Sequence, residues 1–285
     1  MSEPITLVLG GTGVKGIASI GVLQSLHSHG IKIKKIIAAG ISAPISAQFA
    51  LEKGPDTLIY EFTRFFKDNY NSLWGLEQHS GLLQGRRLRV GDSFSYFLRE
   101  RTYCQANFQN NSVLSWQILD PQITKIFGEN TFSDLKIPLA VSVIDLKQGK
   151  NILIQEGKLY DCMKASMAFP GILPPVSVGE MELVSSTIYC DLPLDNITPN
   201  DAPVLTIDLS MPFIGSNPRT LLEIISIVDD ISSRAIKEKL LANTGYLFRL
   251  EGMEKFRWGD YHQIPDIVEQ ALIETDALLE KTKLP

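Results

Sequence analysis

Residues 5–39 of this 285-residue chain carry a pattern that leaves few folds open. ITLVL (5–9) is a continuous apolar run, as a strand buried on both faces requires. GGTGVKG (10–16) turns the chain. IASIGVLQSLHSHG (17–30) then brings Ile17, Ile20, Leu23 and Leu26 at steps suited to a helix face, with Gly30 where a C-cap belongs. KKIIAA (34–39) is a second buried strand. Strand, glycine loop, helix and strand make a βαβ unit, for which a parallel sheet is the economical solution. A second helix is expected from about Pro44 to Leu51.

Beyond residue 57 the character changes. DTLIYEFTRFFKD offers Leu58, Phe62, Phe65 and Phe66 to one broad helical face. The stretch 57–127 reads as a largely helical insertion or lid within a single domain spanning 1–285. Strands return at IPLAVSVIDL (137–146) and NILIQE (151–156), joined by a hairpin-type KQGK turn. STIYC (186–190) and VLTIDL (204–209) read as further strands. A long helix is expected over 218–241, entered through Pro218, then a short strand at 246–250 and a terminal helix near 265–281.

Composition narrows the function classes. A formal net charge of -5 leaves no domain-wide basic excess for nucleic acid. Cys104, Cys162 and Cys190 are widely spaced, without a C-x-x-C pair or a metal-ligand cluster, so neither a disulfide framework nor a metal is expected. No apolar stretch approaches the roughly 18 residues a membrane span needs, and no signal peptide precedes ITLVL. The expectation is a cytoplasmic protein whose membrane contact, if any, is peripheral.

Two strand ends carry the candidate chemistry. G-T-G-V-K-G (11–16) fits a dinucleotide-binding loop in spacing, but the acidic residue expected about twenty positions on is replaced by IKIKKII. It equally fits an oxyanion loop, whose backbone N–H groups face developing negative charge. GISAP (40–44) follows the second strand. It reads either as a nucleophile elbow, with Ser42 on a tight strand-to-helix turn, or as a serine cap on a helix entered through proline. Neighbouring strands would place both features at one sheet edge. None of His27, His29, His79 or His262 has a placement that compels a serine–histidine–acid arrangement, and direct activation by a carboxylate is the alternative. Asp191, ahead of LPLDNITP, is the best candidate; Asp145 and Asp208 also sit at strand ends, as further candidate bases or as turn caps, and spacing alone does not rank the three.

GGTGVKGIASIGVLQSLHSHGI, GISAP, KASMAFPGILPPV and YCDLPLDNITP stand in the order of the patatin-like phospholipase family, and the chain resembles it over most of residues 5–210. The resemblance implies a three-layer α/β/α sandwich with a mostly parallel sheet. It implies a Ser42–Asp191 dyad with no catalytic histidine, and an oxyanion hole at Gly11, Thr12, Gly13 and Val14. Gly10, Lys15, Gly16 and Gly40 support these motifs, and Ser166, Pro170, Pro174 and Pro175 match the family's proline block beside the dyad. Two positions depart from the pattern. Pro44 stands where the family has glycine, and Leu192-Pro193 replaces a glycine-rich pair, restricting the turn that aims Asp191.

The implied activity is hydrolysis of phospholipid, lysophospholipid or neutral-lipid acyl esters without a cofactor. A catalytically weak lipid-binding protein is the alternative. Trp74, Leu76, Leu82 and Leu83, with Arg86, Arg87 and Arg89, offer either an apolar mouth with headgroup contacts or a partly buried lid.

Overall fold

The computed structural model describes residues 3–11, 13–52, 54, 56–65, 112, 114–210, 217, 221–242, 244–256 and 260–284. Strands β1 (Ile5–Leu9) and β2 (Ile33–Ala39) pair in parallel, as the βαβ pattern requires. Between them a 3-10 turn, Gly13–Ile17, runs straight into α1 (Ala18–Ser28). Gly30, at φ 67°, ends that helix. Its N–H donates to His27 O and that of Ile31 to Leu26 O, the paired bonds that satisfy last-turn carbonyls.

The remaining elements follow in order: α2 (Ser42–Ala50), α3 (56–65), α4 (Asp120–Phe127), β3 (Leu139–Asp145), β4 (Lys150–Ile154), α5 (Leu159–Met167), β5 (Val176–Val178), β6 (Met181–Ser185), β7 (Val204–Asp208), α6 (Leu221–Leu241), β8 (Tyr246–Arg249) and α7 (Ile264–Lys281). Among the described residues they build an eight-stranded sheet in the order β5-β6-β3-β2-β1-β7-β8, with β4 on β3. β2, β1, β7 and β8 run parallel with β3, while β4, β5 and β6 form the antiparallel end.

Alternation along the parallel strands creates two apolar layers. Leu7, Leu9, Ile36, Ala38, Val141, Val143, Leu205 and Ile207 join a large core shared with α1, α2, α5 and α7. Val8, Ile37, Ala140 and Val204 face a smaller core with Cys190, Leu192, Leu194 and Leu241. The result is a three-layer α/β/α sandwich around a largely parallel mixed sheet. Leu58, Phe62 and Phe65 bury the face expected of α3, and Trp116, Leu119, Ile123 and Phe127 pack into the same core.

Two expectations are corrected. α2 starts at Ser42, two residues before Pro44. STI in STIYC is a 3-10 turn, Ser186–Ile188; the strand lies just ahead of it, in β6. Thr and Ile favour strands, but the Ser185 hydroxyl accepts from the Thr187 N–H and closes the turn locally. α6 is described only from Leu221, so Pro218 lies outside the described residues, as do Phe66 and residues 74–89.

α1 crosses α7 at very close range. A Cβ on Gly21 would sit 2.2 Å from Val268 O and 2.8 Å from Leu272 N, both backbone atoms. Alanine gains about 1 kcal/mol of helix propensity over glycine, but overpacking against backbone costs about 1–3 kcal/mol. Gly21→Ala is therefore expected to lower stability in urea unfolding. A variant as stable as the parent would contradict this crossing.

Candidate active site

β1 and β2 end at the same sheet edge, and the turns that leave them touch. After β2, Gly40 takes φ 62° and α2 begins two residues later. Ile41 is the N-cap residue and contributes no side-chain cap. Ser42 is the first helical residue, so it does not cap the helix. Its hydroxyl instead donates to Gly10 O at 2.7 Å, accepts from the Ser19 hydroxyl at 2.7 Å, and lies 3.4 Å from Gly16 O. Ser42 is fully buried. Pro44 occupies the third helical position, where the first turn leaves its N–H groups without intrahelical acceptors, so the ring removes no helix bond.

The glycine loop is packed against both neighbouring turns. A Cβ on Gly16 would meet Ile41 Cβ at 2.8 Å and Ser42 N at 3.3 Å. One on Gly10 would lie 1.8 Å from Asp191 O. The Gly11 N–H donates to that same Asp191 carbonyl at 3.2 Å, so this amide is already engaged. Gly13 and Val14 are buried in the 3-10 turn that feeds α1. Thr12 lies outside the described residues.

Asp191 reaches this edge because β3 outruns β2. β2 pairs with residues 139–142 of β3, and β6 pairs antiparallel with the overhang, Val143 to Ser185 through Asp145 to Leu183. β4 pairs with 141–145 and so occupies the opposite side of β3. β6 is thereby aimed at the carboxyl end of β2. The Ser186 hydroxyl donates to Ser142 O at 3.0 Å, where the β2 pairing ends. Thr187 Cγ2 lies where a Gly40 Cβ would meet it at 2.8 Å. Leu192 and Leu194 then sink into the smaller core, and the Leu194 N–H donates to Leu192 O at 2.9 Å across Pro193. Apolar anchoring fixes the Leu192-Pro193 turn without a residue at positive φ.

The other acidic candidates are committed elsewhere. Asp145 accepts from the Lys147 N–H at 3.0 Å and Asp208 from the Ser210 N–H at 3.0 Å, each capping a turn. Asp191 faces Lys237, whose Nζ lies 3.5 Å from both carboxylate oxygens and 3.4 Å from Asp208 Oδ1. Burial pushes the Asp191 carboxyl above its usual range, opposed by the Lys237 charge and assisted by Asp208. Asp208 sits below its usual range; Lys237, the Ser210 bonds and Arg249 outweigh its burial. No hydrogen bond joins Ser42 to Asp191 here. Each touches the Gly10–Gly11 segment from a different side.

Sequence inspection missed two residues, Ser19 and Lys237. Ser19 shares the buried face of α1 with Val22, Leu23 and Leu26, and Lys237 precedes Leu240 and Leu241 by a helical turn. A polar residue in phase with a buried stripe is the signal for both. Lys15 is buried, and its Nζ has no hydrogen-bond partner among the described residues. Ser166 is turned inward, its hydroxyl donating to Met163 O at 2.8 Å, and Pro174 O accepts from Trp116 Nε1 at 2.9 Å. Pro170 is half-buried in the loop that follows α5. His27 and His29 lie at the far end of α1. His79 lies outside the described residues, and His262 lies ahead of α7. Among the described residues no group of three or more His, Cys, Asp or Glu is placed to hold a metal, and no helix is long and apolar enough to cross a membrane. Burial raises the Cys190 thiol to about 12 and the Cys162 thiol further, so neither is a nucleophile at neutral pH.

Comparison with known proteins gives the family and the fold. A family model described as patatin-like phospholipase matches residues 7–195. An NTE family protein of Mycobacterium tuberculosis is 29% identical over 210 residues, covering 74% of this chain and 49% of that protein. Lysophospholipase NTE1 of Candida albicans is 22% identical over 196 residues, or 69% of this chain and 12% of the relative. The chain thus spans at most about half the length of these relatives. The crystal structure of VipD from Legionella pneumophila shares the fold, with a TM-score of 0.50 at 12% identity, over 98% of this chain and 68% of that one.

The Lys15 ammonium has a measurable energetic signature. Burial lowers its pKa from 10.5 to about 8, with Asp191 and Glu254 partly offsetting the effect. Between those values the unfolded chain binds the extra proton, so this group's contribution to stability rises with pH through that window and is flat below it. Lys15→Met removes the dependence. The parent is expected to gain about 3 kcal/mol on the variant from pH 8 to pH 10.5. Parallel stability–pH curves for the two proteins would refute this.

Proposed function

The chain belongs to the patatin-like phospholipase family, and on that premise we propose that it hydrolyses acyl-ester lipids with Ser42 as nucleophile and Asp191 as base. The observation that carries this reading is the meeting of three segments at the Gly10–Gly11 peptide. The Ser42 hydroxyl donates to Gly10 O, and Asp191 O accepts from Gly11 N–H. The resting contacts must then be exchanged for reactive ones. Ser42 turns its proton from Gly10 O to the Asp191 carboxylate, and Oγ attacks the ester carbonyl. The new alkoxide character of Oγ is supported by the Ser19 hydroxyl, which already donates to it. Amides of Thr12, Gly13 and Val14 take up the oxyanion, with Gly11 joining them once it releases Asp191 O. Asp191 passes the proton to the departing alcohol. Water then attacks the acyl-enzyme, giving a proton to Asp191, which returns it to the departing Ser42 Oγ as the fatty acid leaves.

A phospholipid, lysophospholipid or neutral lipid supplies the required ester, and the Candida albicans relative, a lysophospholipase by name, favours the lysophospholipid. The chemistry uses no cofactor. A peripheral encounter with a membrane or micelle delivers the substrate. The fully buried Ser42 hydroxyl favours a second reading, a lipid-binding protein with little turnover.

Ester hydrolysis and fluorophosphonate labelling separate the two. Ser42→Ala is expected to abolish labelling, and both Ser42→Ala and Asp191→Asn to lower kcat/KM by on the order of 10³-fold or more. Hydrolysis requires ionised Asp191, so activity falls as pH drops through a value above the usual aspartate range. Turnover and labelling that ignore Ser42 would remove the enzymatic reading.

A further inference from the structure

The candidate base does not stand alone. Lys237, on α6, is almost fully buried and straddles the Asp191 carboxylate at 3.5 Å from each oxygen. It is held from behind by Asp208, at the end of β7, 3.4 Å away. Asp208 is itself fixed by the Ser210 N–H at 3.0 Å and by Arg249 of β8 at 3.4 Å. The chain of charge runs from β8 through β7 and α6 to the Asp191 loop. An ammonium buried this deeply costs stability unless it is paired, and both of its partners are carboxylates.

We propose that Lys237 is a positioning residue for the acyl-hydrolase reaction. Held by Asp208, its ammonium orients the Asp191 carboxylate and keeps it ionised, ready to take the Ser42 proton. This rests on the Ser42–Asp191 reading above and adds what governs its base. The aspartate sits where burial favours the neutral acid, a form that cannot accept a proton. The groups facing it are Lys237 and Arg234 from α6, Asp208 from β7 and Lys15 from the glycine loop, with the Cys190 thiol beside it. Arg234 is engaged with Asp230 at 2.9 Å, and Lys15 makes no hydrogen bond to the carboxylate. The Lys237 ammonium lies 3.5 Å from both oxygens. Asp208 divides its attention: it anchors the lysine, yet its own negative charge opposes ionisation of Asp191.

That division gives variants with opposite signs. In Lys237→Met the acid limb of kcat/KM moves to higher pH, and activity at the acid end falls on the order of tenfold relative to the plateau. In Asp208→Asn the limb moves to lower pH, because a competing carboxylate is gone and the lysine retains only Asp191. Lys237→Arg keeps the charge and restores the limb toward the parent. A lysine that merely stabilised the fold would lower Tm in Lys237→Met and leave every limb in place. The same variants are titrated by carbon-13 NMR of the Asp191 carboxyl, assigned by its loss in Asp191→Asn, which reads the charge state without turnover.

Opposite displacements of the Asp191 titration in Lys237→Met and Asp208→Asn support the inference, and unmoved or parallel displacements overturn it. If Lys237→Met does not fold, Asp208→Asn against Lys237→Arg decides: a downward shift in the first with the parent value in the second supports it, and any other pattern overturns it. Failure of the underlying reading shows separately, as parent turnover and labelling indifferent to Ser42.

Discussion

Two backbone atoms at the end of β1 hold the site together. The Gly10 carbonyl receives the Ser42 hydroxyl, and the Gly11 N–H reaches the Asp191 carbonyl. The approach is so close that a methyl group on Gly10 would overlap Asp191 O. Side-chain contacts of this kind tolerate drift, because rotamers adjust. The backbone approaches of Gly40 to Gly11 O and of Gly10 and Gly11 to Asp191 O do not, so the Ser42 turn and the Asp191 loop share one rigid reference point. The rest of the molecule can be understood as what is needed to bring two distant stretches of chain to that peptide.

They arrive from opposite faces of the sheet. α2, which begins with Ser42, belongs to the large core with α1, α5 and α7. The Asp191 loop is pinned by Cys190, Leu192 and Leu194 to the small core with Leu241 of α6. Lys237 lies one turn before that leucine on the same helix. The layer that anchors the loop thus also supplies the cation beside its carboxylate. Packing and electrostatics are coupled through one helix, and a change in how α6 sits on the sheet is felt at the aspartate as a change in field.

The βαβ unit was legible because glycines and buried strands punctuate it without ambiguity, and the Gly30 helix end and the KQGK hairpin were legible for the same reason. Asp145 and Asp208 were legible as strand-end carboxylates, but whether such a carboxylate caps a turn depends on the path of the backbone after it, which spacing does not record. STIYC misled because Thr and Ile carry strand propensity while the preceding serines form local bonds that propensity does not count. The start of α2 was misplaced because proline marks a first turn without fixing which of its positions it fills. Lys237 was hidden because a lysine in a long amphipathic helix ordinarily faces water; its meaning depends on two carboxylates brought from other strands. Charge partners across a sheet have no local signature.

The overhang of β3 has a consequence for how such a chain can vary. The position of Asp191 is metered by a count of residues along one strand: four of β3 are spent on β2, and the next three receive β6. No connecting loop enters that count. Between α2 and β3, a change that keeps the buried faces of α3 and α4 in the core leaves the spacing of Ser42 and Asp191 to that strand count. A single residue gained or lost inside β3 has the opposite effect, because it would reverse which face each following side chain meets and slide β6 off its mark. The molecule is exacting in one seven-residue strand.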